Sequence, residues 1–109
     1  MRRTIEKIIA FAAHIAEPDE IILFGSMAHG TNNLHSDLDL LIVADAHFQK
    51  EQIVERVEQF AVEKSLRADV LVYSRAELEA ALRKPQSFLA DICRSGKIVY
   101  QKGGKNFDF

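Results

Sequence analysis

Two short aliphatic segments flank a glycine-rich connection, and this pattern limits the fold more than any other feature of the sequence. The first segment, EIILF (20–24), ends at Gly25, and the second, DLDLLIVA (37–44), follows a stretch of small and polar residues. Continuous apolar runs of this length indicate buried strands. Asp37 and Asp39 nevertheless stand at the start of the second strand, where carboxylates are unfavourable unless a cation neutralises them. The connection and these carboxylates are therefore the first candidates for a functional site.

Helical and strand periodicities alternate along the rest of the chain. Apolar residues at helical spacing predict helices over residues 4–16, ended by Glu17-Pro18, and over residues 48–65. RADVLVYS (67–74) is typical of a third strand, and KIVYQ (97–101) of a last strand at the sheet edge. The predicted fold class is α/β, a short twisted mixed sheet with helices on its faces.

Two further helices are predicted between the last two strands. Ser74 and Glu77 form an S-x-x-E capping box that opens the first of them. This helix is expected to stop near Lys84-Pro85, because the residue before proline is disfavoured in a helix. The second helix is expected to end at Gly96 in a left-handed cap. Its inward face is predicted to consist of Phe88, Leu89, Ile92 and Cys93.

Composition and charge favour one globular domain that does not bind nucleic acid. The 109 residues are 48% hydrophobic and 28% charged, with a net charge of -2. The 14 Lys and Arg residues are scattered among 16 acidic residues, which is unlike the basic surface that binds a nucleic-acid backbone. We expect a domain over residues 1–102 and a flexible tail over residues 103–109.

The sequence also favours a cytoplasmic location. No segment reaches the roughly 20 apolar residues that cross a bilayer, and the N-terminus lacks the apolar core of a secretion signal. The single cysteine, Cys93, cannot form an internal disulfide. Membrane attachment is therefore not expected.

Strand alternation brings carboxylates together. Side chains two apart in a strand share a face, so Asp37 and Asp39 lie about 7 Å apart. Asp69 alternates with aliphatic residues in the third strand and joins the pair if that strand lies alongside. Carboxylates held side by side need a hard cation, and magnesium takes carboxylate, phosphate and water oxygens. A pair of such ions can clamp both oxygens exchanged in phosphoryl transfer.

The turn after the first strand is suited to an anion. Gly25 and Ser26 follow a strand and precede a predicted helical turn over residues 26–29, so their backbone N–H groups and the serine hydroxyl can face a triphosphate. The turn is neither a Walker loop nor a G-x-G-x-x-G fingerprint.

LFGSMAHG followed by SDLDLLIV resembles the signature of the nucleotidyltransferase superfamily that includes DNA polymerase beta. More closely, the chain resembles the minimal nucleotidyltransferases, the MNT proteins, which are paired with HEPN partners in toxin–antitoxin modules. The resemblance implies ATP as substrate, a pair of magnesium ions, and a hetero-oligomer with a HEPN toxin. It implies a metal and catalytic site of Asp37, Asp39 and Asp69, the last orienting or deprotonating the attacking hydroxyl. It implies a nucleotide site of Gly25, Ser26, His29, Gly30 and Ser36.

The glycine-rich turn departs from many of these relatives at two positions. Where they carry an arginine two or four residues after the glycine, this chain has Met27 and His29. Methionine cannot neutralise phosphate, and histidine does so only when protonated. The departure bears on triphosphate affinity and leaves the carboxylates unaffected.

Three functions fit these features. The first is an enzyme that transfers AMP, or several AMP units, from ATP to a hydroxyl of a HEPN ribonuclease toxin, with a tyrosine as the expected acceptor. The second is an antitoxin that masks the toxin without catalysis, and the third is a nucleotidyltransferase that acts on small molecules such as antibiotics. The last is expected to need an additional acceptor domain, and a pure mask has no use for three clustered acids. Catalysis is therefore favoured.

Overall fold

The computed structural model describes residues 2–28, 37–45 and 49–104. These residues form four α-helices, four β-strands and one short 3-10 helix. The helices are α1 (Arg2–Ala16), α2 (Lys50–Glu63), α3 (Arg75–Leu82) and α4 (Phe88–Ser95). The strands are β1 (Glu20–Phe24), β2 (Leu38–Val43), β3 (Ala68–Tyr73) and β4 (Lys97–Gln101), and the 3-10 helix covers Ser26–Ala28.

The strands form one mixed sheet in the order β3-β2-β1-β4. β1 pairs antiparallel with both β2 and β4, whereas β2 and β3 are parallel. The parallel pair requires a crossover, which α2 supplies. The α/β class, the mixed sheet and the edge position of β4 are confirmed.

Both faces of the sheet are covered, and β2 contributes to both cores. Leu38, Leu40 and Ile42 pack with α1 and α2 in the larger core. Leu41 and Val43 belong to a second core under α3 and α4. All five side chains are buried, which explains why the strand sequence is apolar without alternation.

Several element boundaries follow local backbone chemistry. α1 ends where predicted, because Glu17 adopts a left-handed conformation (φ 45°) and Pro18 follows it. α3 ends at Leu82, slightly before the predicted stop. The prediction for α2 extended to Phe48, which lies outside the described residues, as do His47 and the predicted loop and tail positions 30–36 and 105–109.

Two predictions for α4 are wrong. Gly96 is extended (φ -79°, ψ 170°) because the chain passes directly from α4 into β4 without a left-handed turn. A Cβ at this position would lie 2.6 Å from Ile22 Cγ2, so glycine is needed for close packing. Phe88 points outward with 63% exposure, whereas Leu89 and Ile92 are buried as predicted and Cys93 is partly buried.

No helix among the residues placed by the structure is long and apolar enough to span a membrane.

The predicted capping box at the start of α3 is confirmed. The Ser74 hydroxyl accepts a hydrogen bond from the Glu77 N–H at 3.1 Å, and Glu77 Oε1 accepts one from the Ser74 N–H at 2.9 Å. Lys50 Nζ donates to the same carboxylate oxygen at 2.7 Å. The Lys50 hydrogen bond, followed by that from the Ser74 N–H, lowers the pKa of Glu77 to about 2.

This capping box makes stability depend on acid pH. Because the folded pKa of Glu77 is below its ordinary value of 4.5, the ionised carboxylate stabilises the fold above pH 4.5, and this contribution is lost as pH falls toward 2. Glu77→Gln should therefore lower the urea midpoint at pH 7 and differ less from wild type at pH 3. Glu79→Gln, on the exposed side of the same helix, is the control and should change little at either pH. If the urea midpoints of Glu77→Gln and wild type differed by the same amount at pH 7 and pH 3, the link between Glu77 ionisation and stability would be contradicted.

Candidate functional site

Two carboxylates lie side by side where β2 and β3 begin. Asp39 is directly opposite Asp69 in the parallel register, and both alternate with residues of the larger core. Their side chains therefore project from the sheet face that carries α3 and α4. The sequence-based expectation that Asp69 shares a face with the earlier aspartates agrees with this register.

Asp39 is the partly buried member of the group, whereas Asp37 and Asp69 are exposed. Burial raises the pKa of the Asp39 carboxyl, and the negative charges of Asp69 and Asp37 raise it further. The three aspartates thus share one electrostatic environment with excess negative charge. A cation bound between these carboxylates would neutralise part of that charge.

Two features require glycine at position 25: the positive φ of the backbone and the closeness of the Asp39 side chain. Its φ is +77°, a conformation that L-residues with side chains rarely adopt. A Cβ at Gly25 would lie 3.0 Å from Asp39 Cγ and would overlap Asp39 Oδ2. The absent side chain therefore allows the Asp39 carboxylate to lie directly against the glycine turn.

The turn itself is a single 3-10 turn closed by a 3.1 Å hydrogen bond from the Ala28 N–H to the Gly25 carbonyl. This agrees with the predicted helical turn after the strand. Met27 packs against the larger core, so it serves as a hydrophobic anchor of the turn. Ser26 adjoins Gly25 at the start of the turn.

Three predicted nucleotide-binding residues, His29, Gly30 and Ser36, lie outside the described residues, as does His35. His14 is exposed near the end of α1, as expected for a surface residue.

Arg67 is a charged neighbour of the site that sequence reasoning did not select. Its Nε lies 3.9 Å from Asp37 Oδ1, and its carbonyl accepts a hydrogen bond from the Leu38 N–H at 2.8 Å. Strand alternation could have found it, because Arg67 stands two residues before Asp69. It partly offsets the negative charge at the Asp37 end of the group.

The donor set suits magnesium in part. Within the ranges 2–28, 37–45 and 49–104, no three His, Cys, Asp or Glu side chains are grouped closely enough to hold a metal ion by themselves. Carboxylate oxygens are nevertheless the donors that magnesium prefers, and it commonly uses only one or two of them together with phosphate oxygens and water. The excess negative charge around Asp39 is consistent with such a partial ligand set.

Comparison with protein-family models gives a match over residues 6–104 to the family described as polymerase beta, nucleotidyltransferase. The chain belongs to this nucleotidyltransferase family. The matched range includes the glycine turn, all three aspartates and the last strand.

Solved structures show the same fold. A toxin–antitoxin crystal structure with AMP-PNP is 20% identical, with a TM-score of 0.58 over 88% of this chain and 73% of that chain. A candidate nucleotidyltransferase from Sulfolobus solfataricus is 19% identical, with a TM-score of 0.59 over 100% of this chain and 86% of that chain. A search of curated proteins finds no match to the chain.

Proposed function

We propose that this nucleotidyltransferase is an antitoxin that transfers AMP from ATP to a hydroxyl of a HEPN toxin and thereby neutralises it. The observation that carries the proposal is the pair Asp39 and Asp69, adjacent on one sheet face with Gly25 packed against the Asp39 carboxylate. Family membership and the structural likeness to a toxin–antitoxin complex with AMP-PNP support it. The MNT-like signature supports the choice of a HEPN partner.

Each part of the site has a proposed role. The Gly25–Ser26 turn binds the triphosphate through backbone N–H groups and the serine hydroxyl. His29, Gly30 and Ser36 extend this nucleotide site. Asp37 and Asp39 would hold magnesium, with Asp69 beside them. Bound there, magnesium would neutralise charge on the phosphate oxygens in the transition state.

The proposed reaction is an in-line substitution at the α-phosphorus of ATP. The acceptor hydroxyl oxygen forms a bond to that phosphorus, the bond to the oxygen bridging the α- and β-phosphates breaks, and pyrophosphate leaves. Asp69, exposed beside Asp39, accepts the hydroxyl proton as general base. The protein contributes mainly position and electrostatic stabilisation.

Position-specific labelling tests the proposal. The purified chain is incubated with the proposed cognate HEPN toxin and with ATP labelled at either the α- or the γ-phosphate. Label from the α-position should appear on the partner and label from the γ-position should not, because pyrophosphate leaves. EDTA should abolish labelling. Transfer of γ-label would indicate a kinase, and no labelling under any of these conditions would reject the transfer function.

A further inference from the structure

Phe88 is the most exposed large hydrophobic residue in the described part of the chain, at 63%. Exposure of a single phenylalanine needs no functional explanation, because many apolar side chains lie on protein surfaces. The position of this residue is more informative. It begins α4, on the sheet face that also carries the aspartates.

Phe88 is held by a second aromatic ring. The centroids of Phe88 and Phe24 are 6.2 Å apart and their planes are inclined by 84°, an edge-to-face pair. An edge-to-face contact fixes the ring while leaving a flat ring surface for another stacking partner. Phe24 itself is partly buried against the second core.

Phe24 connects this aromatic pair to the carboxylates. It lies directly opposite Asp39 in the antiparallel register of β1 and β2 and immediately precedes Gly25. Opposite residues of such strands have Cβ atoms about 4.5 to 5.5 Å apart on the same face. The glycine turn, the Asp39 carboxylate, the Phe24 ring and the Phe88 ring are therefore successive neighbours on one side of the sheet.

The backbone that carries Phe88 is fixed by hydrogen bonds. The Ser87 hydroxyl accepts from the Ala90 N–H at 3.1 Å and caps α4, and it donates to the Ala81 carbonyl at 3.0 Å. Leu89 and Ile92 anchor the same helix in the core. An exposed ring on a rigid helix start loses little further freedom when a ligand stacks on it.

We propose that Phe88, held by Phe24, is the stacking platform for the purine base of the nucleoside triphosphate. The inference rests on the proposed function and assigns the base-binding part of that site. A nucleoside triphosphate has phosphates at one end and a flat aromatic base at the other. The glycine turn and the aspartates match the phosphate end, and the Phe24 and Phe88 rings match the base. Stacking of a base on an aromatic side chain contributes about 1 to 3 kcal/mol.

Binding of ATP and of inorganic tripolyphosphate, both with magnesium, separates the base from the phosphates. Calorimetry should show that Phe88→Ala weakens ATP binding about 5- to 150-fold, the factor equivalent to that stacking energy. Tripolyphosphate binding should be unchanged, because the glycine turn and aspartates are intact. Val62→Ala is the matched control, because Val62 is 58% exposed on α2, which packs on the opposite sheet face.

A fluorescent variant gives a second readout. The chain has no tryptophan, so Phe88→Trp creates a single indole at the platform. This variant should bind ATP about as well as wild type, and its emission should be quenched by ATP with magnesium but not by tripolyphosphate. UTP, whose pyrimidine ring offers a smaller stacking surface, should bind more weakly than ATP.

The outcomes separate this inference from the function on which it rests. If wild type binds ATP and Phe88→Ala binds it equally, the platform is rejected and the nucleotide site remains. If Phe88→Ala weakens ATP and tripolyphosphate equally, Phe88 has a structural role and the platform is likewise rejected. If wild type binds neither ligand, the nucleotide function fails and the platform fails with it.

Discussion

Replacing both Asp37 and Asp39 by asparagine should lower the rate of AMP transfer by about 10²- to 10³-fold or more, the loss typical when electrostatic stabilisation of a transition state is removed. Asparagine keeps the size of the side chain and removes the negative charge that binds a cation. The measurement is the initial rate of α-label transfer to the partner with magnesium and ATP. Asp19→Asn is the control, because Asp19 precedes the opposite end of β1 and pairs with Arg75.

The same double variant should remain folded. Ionised Asp39 is partly buried beside two other carboxylates, and these surroundings raise the pKa of its carboxyl. A neutral side chain removes that cost at neutral pH, so the melting temperature in EDTA should equal or exceed that of wild type. A lower melting temperature would mean that loss of activity reflects misfolding.

The double variant also distinguishes an enzyme from a mask. If the chain acts by AMP transfer, the variant should still bind its partner, yet cells that express the toxin should no longer be protected. If it acts by masking, protection should persist. Full protection by a variant with no measurable transfer would overturn the catalytic proposal and leave a binding antitoxin.

The sequence predicted those features that depend on local periodicity. Strand alternation placed Asp69 on the face of Asp39, and this holds because both strands bury the intervening aliphatic residues. The capping box of Ser74 and Glu77 was predictable because its hydrogen bonds join residues only three apart. The α/β class followed from the alternation of strand and helix patterns.

Features set by contacts between distant segments were not predictable in this way. The outward position of Phe88 depends on how α4 crosses β1 and brings this ring to Phe24. By sequence Gly96 fits a left-handed cap, but the structure shows that an added Cβ would lie 2.6 Å from both Ile22 Cγ2 and the Ile92 carbonyl oxygen. Strand alternation puts Arg67 two residues before Asp69, but its ion pair with Asp37 also depends on the register between β2 and β3, which neither strand's own sequence gives.

Gly25→Ala should both destabilise the fold and abolish transfer. An L-residue in the left-handed region costs roughly 1 to 2 kcal/mol. At Gly25 the added Cβ would also displace the Asp39 carboxylate, and crowding of this kind typically costs about 1 to 3 kcal/mol more. The measurements are the free energy of unfolding in urea and the rate of α-label transfer.

Gly103 provides a matched control for the cost of placing an alanine at positive φ. Its φ is +81°, close to that of Gly25, but nothing lies within 4 Å of a Cβ added there. Gly103→Ala should therefore show only the backbone cost and should leave transfer unchanged. If both substitutions lowered the free energy of unfolding equally, crowding against Asp39 would not contribute to the destabilisation by Gly25→Ala.

A double-mutant cycle isolates that contact. In an Asp39→Ala background the carboxylate is gone, so the cost of Gly25→Ala should fall toward that of Gly103→Ala, with a coupling energy of about 1 kcal/mol or more. Additive effects would show that Gly25 and Asp39 act independently. Coupling would instead mean that the glycine is selected by two demands at once: the backbone turn proposed to hold the triphosphate, and the space that lets a carboxylate lie against it.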